Sequence, residues 1–292
     1  MFLSLMSELD KLKDIIPDVI SGFVRYADFD AIPETFPIKN QEVLLPLLKR
    51  LKEAGSNGCL FYLYDEEMVN FLNALHAEMK EFPIMVIIRF GDISTTTTLL
   101  QALEFKPFVI FLDYSISDQR DPEIVLKYSN AVSRFTEHIG IFSIEPIGTV
   151  SFFITANPDI KIYLIPFNLL GFGVQNRSLL EMIVNSSENL YISMNPLAQG
   201  RVKSRQSFDY ITTHKIHGAL VEIGEAELNL ETTKFAKYFF ETHDFLQIAL
   251  EFEDHSEVCD TCGLGMYRYY PPSGGSWFYC PQCQAKKEIP KG

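Results

Sequence analysis

Two groups of residues in this 292-residue chain have types and spacings that suit chemistry. The first is a set of four cysteines near the C-terminus. Cys259-Asp-Thr-Cys262 and Cys280-Pro-Gln-Cys283 make two C-x2-C pairs separated by 17 residues. Each such pair bends into a knuckle that presents both thiolates to one ion, and four sulfurs give the tetrahedral site that zinc prefers in structural roles. Gly263 follows the first pair and has the backbone freedom that lets amides turn towards the sulfurs. Four bound thiolates leave no coordination position open for catalysis, so a structural zinc is expected. Iron is the alternative metal, disfavoured because the sequence shows no partner redox centre. The fifth cysteine, Cys59, lies in an apolar run and reads as a buried, inert thiol.

The second group is a row of polar residues, each standing directly after an apolar run: Tyr64 and Asp65, Arg89, Asp113, Glu145, Asn168, Asn195 and Glu222. To these the loop after Asn195 adds Gly200, which lets backbone approach a ligand closely, and Arg201, whose planar fork matches phosphate or carboxylate. In a catalytic reading Arg89 and Arg201 bind anionic groups, Asp113 or Glu145 moves a proton, and Tyr64 is the acid. In a structural reading Arg89, Asp113 and Glu145 form an ion-pair network that needs no substrate, and Arg201 is a solvated surface residue. The six histidines fall at 76, 138, 214, 217, 243 and 255, none of them at such a position. A histidine general base or a histidine metal site among these residues is therefore not expected.

The elements that must carry the second group alternate along the chain. Runs rich in β-branched and aromatic residues at 22–28, 58–64, 84–90, 108–114, 139–145, 160–167, 190–195 and 217–223 predict eight strands. Amphipathic helical stretches accompany them: a leading one over 7–18, then 41–54, 66–80, 121–137, 178–186, 206–213 and 230–240. Alternation of this kind implies parallel strands, because a parallel neighbour needs a long crossover. Ile84-Met-Val-Ile-Ile88 and Phe108-Val-Ile-Phe-Leu112 are apolar on both faces, as buried parallel strands must be. Eight units in about 220 residues fit a closed (β/α)8 TIM barrel, in which the C-terminal strand ends carry the chemistry. The expected organisation is a barrel over residues 1–250 and a small metal-binding unit over 251–292. His217 precedes the eighth strand and belongs at the bottom of the barrel. A doubly wound open sheet is the alternative, and it wants a glycine-rich phosphate loop that the segment Asp28-Phe-Asp-Ala-Ile-Pro33 lacks.

Composition sets the outer limits. A hydrophobic content of 47% with 22% charged residues belongs to a globular chain, and no apolar run reaches the ~18 residues of a membrane span. A net charge of -13 argues against a general affinity for nucleic acid. No signal peptide is read in the first residues, and reduced, metal-type cysteines point to a reducing compartment, with the cytoplasm as the expectation.

Asn195-Pro-Leu-Ala-Gln-Gly-Arg201, followed by Gly218-Ala-Leu-Val-Glu-Ile-Gly-Glu-Ala-Glu-Leu-Asn-Leu-Glu-Thr232, resembles the last two strands of the aldo-keto reductase superfamily. There a Pro-Leu-x-x-Gly strand exit and an acidic helix start hold the phosphates of a nicotinamide cofactor. The resemblance implies NADP as cofactor, with Asn195, Gly200, Arg201 and Glu222 as the residues that would hold it. It also places Arg89 where that family has its lysine and Asp113 where it has its histidine, while Tyr64 stands for its tyrosine acid. The family's strand-two aspartate has no clear counterpart in Gly58-Cys-Leu-Phe-Tyr-Leu-Tyr-Asp65. The C-terminal knuckles resemble a zinc ribbon, with some likeness to rubredoxin. Two functions follow as expectations: a reductase-like barrel acting on a small anionic or carbonyl molecule, or a non-catalytic scaffold that presents the ribbon to a protein or nucleic-acid partner.

Overall fold

The computed structural model describes residues 11–22, 41–157, 159–223, 226–242, 257–261, 266–269, 277–279 and 285–288. Eight parallel strands close on themselves in chain order. They are β1 (Val19–Gly22), β2 (Gly58–Tyr62), β3 (Ile84–Ile88), β4 (Val109–Leu112), β5 (His138–Phe142), β6 (Ile162–Pro166), β7 (Leu190–Met194) and β8 (Gly218–Glu222). Closure is carried by β1, whose Ile20 lies opposite Gly58 of β2 on one side and Leu220 of β8 on the other. Seven strands fall on their expected segments. The first is described over Val19–Gly22, beginning two residues after Pro17 and ahead of the expected 22–28. Val19 and Ile20 are completely buried, so the strand starts on core residues that the expected segment leaves out. Residues 23–28 lie outside the described residues.

Around the barrel run helices α1 (described over 11–15), α2 (Gln41–Glu53), α3 (Glu66–Glu78), α4 (Ile93–Gln101), α5 (Tyr114–Ser117), α6 (Pro122–Val132), α7 (Pro146–Ala156), α8 (Arg177–Ser186), α9 (Ser204–Ile211) and α10 (Ala226–Thr242). Three of them, α4, the single-turn α5 and α7, are absent from the amphipathic pattern. In α4 the run Thr95 to Thr98 has poor helix propensity, but Asp92 caps the first turn by accepting from the amides of Ser94 and Thr95. Thr97 and Thr98 then turn their hydroxyls back onto the Ser94 carbonyl, which satisfies the hydroxyls within the helix without adding to its stability. Helix α7 starts on Pro146 in its first turn, a position where the missing amide costs nothing. Its apolar residues run all round, so no periodicity marks it. Helix α6 ends at Val132, short of the expected 137, and Leu126 on it is exposed.

Side-chain alternation divides the interior into two cores. Ile20, Leu60, Met85, Ile87, Phe111 and Ile192 fill the lumen, while Cys59, Phe61, Val86, Ile110 and Tyr163 pack outward against the helices. Burial pushes the Cys59 thiol far above its ordinary range, which makes it inert. Near the mouth Gly22 is obligatory: a Cβ there would stand 2.2 Å from the Leu60 carbonyl oxygen. At the opposite end His217 donates its amide to the Tyr191 carbonyl and accepts the Tyr191 amide on Nδ1 at 3.2 Å. Burial, then Lys13 and Lys215, push its pKa down to about 4, so it is a neutral structural group.

C-terminal to the barrel, β9 (Tyr267–Tyr269), β10 (Trp277–Tyr279) and β11 (Lys286–Glu288) form an antiparallel sheet in the order β11-β10-β9. Cys259 and Met266 are buried together, with Phe278 and Ala285 packed against them. Cys262, Cys280 and Cys283, and the boundary at 250/251, lie outside the described residues. Among the described residues no three metal-ligating side chains gather, and no helix is long and apolar enough to cross a membrane.

Candidate functional site

The strand alternation that puts Ile87 and Phe111 in the lumen brings Arg89 and Asp113, two residues further on, to the C-terminal mouth on the same side. Asp113 is completely buried. One of its carboxylate oxygens accepts the Ser115 amide at 2.9 Å and so caps α5. The other accepts the Tyr62 hydroxyl at 2.8 Å. Tyr62 is the last residue of β2 and belongs to the lumenal core. Burial, followed by the Asp113 charge and hydrogen bond, pushes its phenol far above the usual tyrosine range, and the Arg89 charge opposes this only in part. The phenol is therefore neutral, and its proton points at a carboxylate.

Arg89 is exposed at the mouth and makes no hydrogen bond or ion pair among the described residues. The expected network of Arg89, Asp113 and Glu145 does not form. Asp113 pairs with Tyr62, and Glu145 pairs with Arg120 on the rim. The exit of β5 is instead organised by Asp118. Its carboxylate accepts the hydroxyls of Ser143 and Thr149 at 2.5 and 2.6 Å and the amides of Ile144 and Glu145 at 3.0 and 3.2 Å. Burial still holds its pKa above the ordinary carboxylate value. Tyr64 is exposed, and its neighbour Asp65 caps α3 through the Met68 amide at 2.8 Å.

The other side of the mouth is built differently. Asn168 closes its own turn twice, giving its amide to the Phe172 carbonyl and accepting the Phe172 amide, both at 2.9 Å. Asn195, with φ 54°, accepts the Gln199 amide at 2.7 Å. Ala198, Gln199 and Gly200 follow with φ of 48, 56 and 77°. Three non-glycine residues in the left-handed region mark a tightly determined loop. A Cβ at Gly200 would meet nothing within 4 Å, so this glycine is there for its conformation and for the open space beside it. Arg201 folds over the same loop: Nη1 donates to the Ala198 carbonyl and the Gln199 side chain at 3.2 and 2.8 Å, and the guanidinium lies 4.3 Å over the Phe172 ring. Glu222 ends β8 half-buried, its carbonyl accepting the Asn229 side chain.

Tyr62 is the functional candidate that reading the strand exits missed. The signal was present: on β2 the lumenal face runs Leu60, Tyr62, so the phenol inside the barrel lies two residues before Tyr64.

No family model matches the chain, and no curated protein matches it. Solved structures do. An aldo-keto reductase-like protein from Pseudomonas aeruginosa superposes with a TM-score of 0.55 at 15% identity over 76% of this chain and 89% of that one. A Bombyx mori aldo-keto reductase in complex with NADP gives 0.53 at 12% identity, covering 80% and 92%. A 2,5-diketo-D-gluconic acid reductase B structure gives 0.53 at 13%, covering 86% and 92%. At these identities the likeness establishes a shared barrel architecture.

Proposed function

We propose that this chain binds a small anionic molecule at the C-terminal mouth of its barrel and does not carry out tyrosine-dependent carbonyl reduction. The observation that carries the reading is the 2.8 Å hydrogen bond from Tyr62 to buried Asp113, beside an Arg89 that has no partner of its own among the described residues. A phenol that protonates a carbonyl needs its proton aimed at substrate and its pKa brought towards neutrality. Here both are opposed. A guanidinium at the rim of a low-dielectric lumen, in contrast, is suited to a carboxylate or phosphate.

NADP is the dinucleotide to test, because a structurally similar reductase is described in complex with it. The residues fit in part. Gly200 and Arg201 suit a phosphate, whereas the Glu222 carboxylate suits hydroxyls and repels phosphate. Assaying the wild-type chain with NADPH and a panel of aldehydes is expected to give no oxidation above the aldehyde-free rate. Turnover that disappears in Tyr62→Phe would contradict the reading.

Zinc remains the metal of the C-terminal unit over 251–292 in this proposal. Its support is the place of Cys259, buried against a three-stranded antiparallel sheet whose β10 ends one residue before Cys280. So few residues bury too little apolar surface to hold a fold without further links. One zinc per chain is expected by elemental analysis after chelator-free purification, abolished in Cys280→Ser. A metal-free wild type would remove zinc, and visible absorption from bound iron would replace it. A scaffold that presents this unit to a protein or nucleic-acid partner is the second reading. It is favoured by Asn168 and Asn195, whose side chains close on their own loops.

A further inference from the structure

We infer that Arg177 and Glu181, on α8 behind the barrel mouth, are positioning residues that set the place of Arg201. The role of Arg201 in holding an anion rests on the reading above, but its support by this cluster is a separate claim. An Arg and a Glu four residues apart on a helix are usually a solvated pair of little consequence. This pair is different in burial and in reach. The two side chains are 11% and 19% exposed, and Arg177 Nε stands 2.8 Å from Glu181 Oε1 as a charge contact that lacks hydrogen-bond geometry. Arg177 then leaves its own helix: Nη1 donates to the Leu169 carbonyl at 2.6 Å, in the loop after β6. Its guanidinium also lies 5.4 Å over the Tyr210 ring of α9.

Glu181 is held in turn. Its carboxylate accepts the Tyr210 hydroxyl, and Tyr210 stacks on Phe167 at 5.7 Å with the rings 14° from parallel. The cluster thus grips the β6 exit at both Phe167 and Leu169. Three residues after Leu169 comes Phe172, fixed by Asn168 and lying under the Arg201 guanidinium. The line of contacts runs from Tyr210 through Glu181 and Arg177 to Leu169, then along the chain to Phe172 and from its ring to Arg201. None of the first three faces the mouth, yet each limits where the Phe172 platform can sit. A planar fork is required at 177, because one guanidinium must reach a carboxylate and a carbonyl at once.

The test uses the full-length chain and native trypsin digestion. Arg201 and the exposed Lys80 are cleavable sites on opposite parts of the barrel, so the ratio of cleavage after Arg201 to cleavage after Lys80 reads the β6–β7 side alone. Arg177→Met is expected to raise this ratio at least fivefold. Glu181→Gln keeps an acceptor for Tyr210 and the side-chain volume, and is expected to raise it about threefold, which keeps the claim testable should the methionine variant not fold. An unchanged ratio, or equal rises at both sites, would overturn the inference. Calorimetry with inorganic pyrophosphate is run alongside, and Glu181→Gln is expected to bind it several-fold more weakly than wild type. Should wild type not bind pyrophosphate, the anion reading of Arg201 falls while the cleavage ratio still decides the support.

Discussion

The two sides of the barrel mouth handle polar residues in opposite ways. On the β6–β7 side every polar strand exit is absorbed by local structure: Asn168 and Asn195 close their own loops, Ser193 donates to the Phe167 carbonyl at 2.6 Å, and Arg201 rests on Phe172. On the β2–β4 side one pair, Tyr62 and Asp113, is closed and buried, and the neighbouring cation is left exposed. Buried polar groups without partners are costly, so saturation is the ordinary outcome and an uncommitted arginine beside a saturated pair is the informative one. The first side reads as a rigid ledge. The second reads as a receptor whose tyrosine has been taken out of acid chemistry.

Substitutions on the two sides should separate these descriptions. Asp113→Ala has the largest expected effect, about 3 kcal/mol of lost stability, because it strands a buried phenol and uncaps α5 together. Denaturant unfolding reads this directly, and a loss under about 1 kcal/mol would mean that the pair is not closed. Asn168→Ala comes next at about 2 kcal/mol, from two lost hydrogen bonds at one turn. Hydrogen exchange should show its effect confined to residues around 168–172, and spread to β2–β4 would break the separation.

Acidification is expected to act on the ledge with a smaller effect. Burial lowers the pKa of His214, which stands 4.0 Å from Glu181. Its folded pKa lies below the unfolded value of 6.5, so the unfolded chain takes up the proton first. The stability this contributes is present above pH 6.5 and is lost as pH falls below it. Thermal midpoints from pH 7 to 5.5 should therefore fall more steeply in wild type than in His214→Phe, with His217 contributing the same slope to both. Equal slopes would remove His214 from the account. Arg89→Met has the smallest expected effect on stability, within about 0.5 kcal/mol, since nothing in the described fold depends on it.

Much of this architecture is legible in the sequence, for a physical reason. Parallel strands buried on both faces need unbroken apolar runs, and Ile84–Ile88 announces one without ambiguity. The β7 exit is legible too, because Asn195, Pro196 and Gly200 are punctuation that few other conformations need. Helix α4 is hidden because its run of threonines counts against a helix, while what holds it is the Asp92 cap and the burial of Leu99 and Leu100. The Tyr62–Asp113 bond joins residues 51 apart in sequence, so the alternation that puts Tyr62 in the lumen does not name its partner. The same holds for Arg177 and Leu169: the spacing of α8 shows an i,i+4 pair, while only the folded barrel shows the carbonyl that makes the pair matter.

The central claim is that Arg89 is the anion-binding cation of a mouth whose tyrosine is not an acid. The direct measurement is calorimetric titration of wild type and Arg89→Met, side by side at low ionic strength, with inorganic phosphate, pyrophosphate and NADP. Saturable binding of at least one of these to wild type, weakened about tenfold or more in the variant, is what loss of a charge-assisted hydrogen bond predicts. No saturable binding by wild type, or equal affinities in the two proteins, would contradict it.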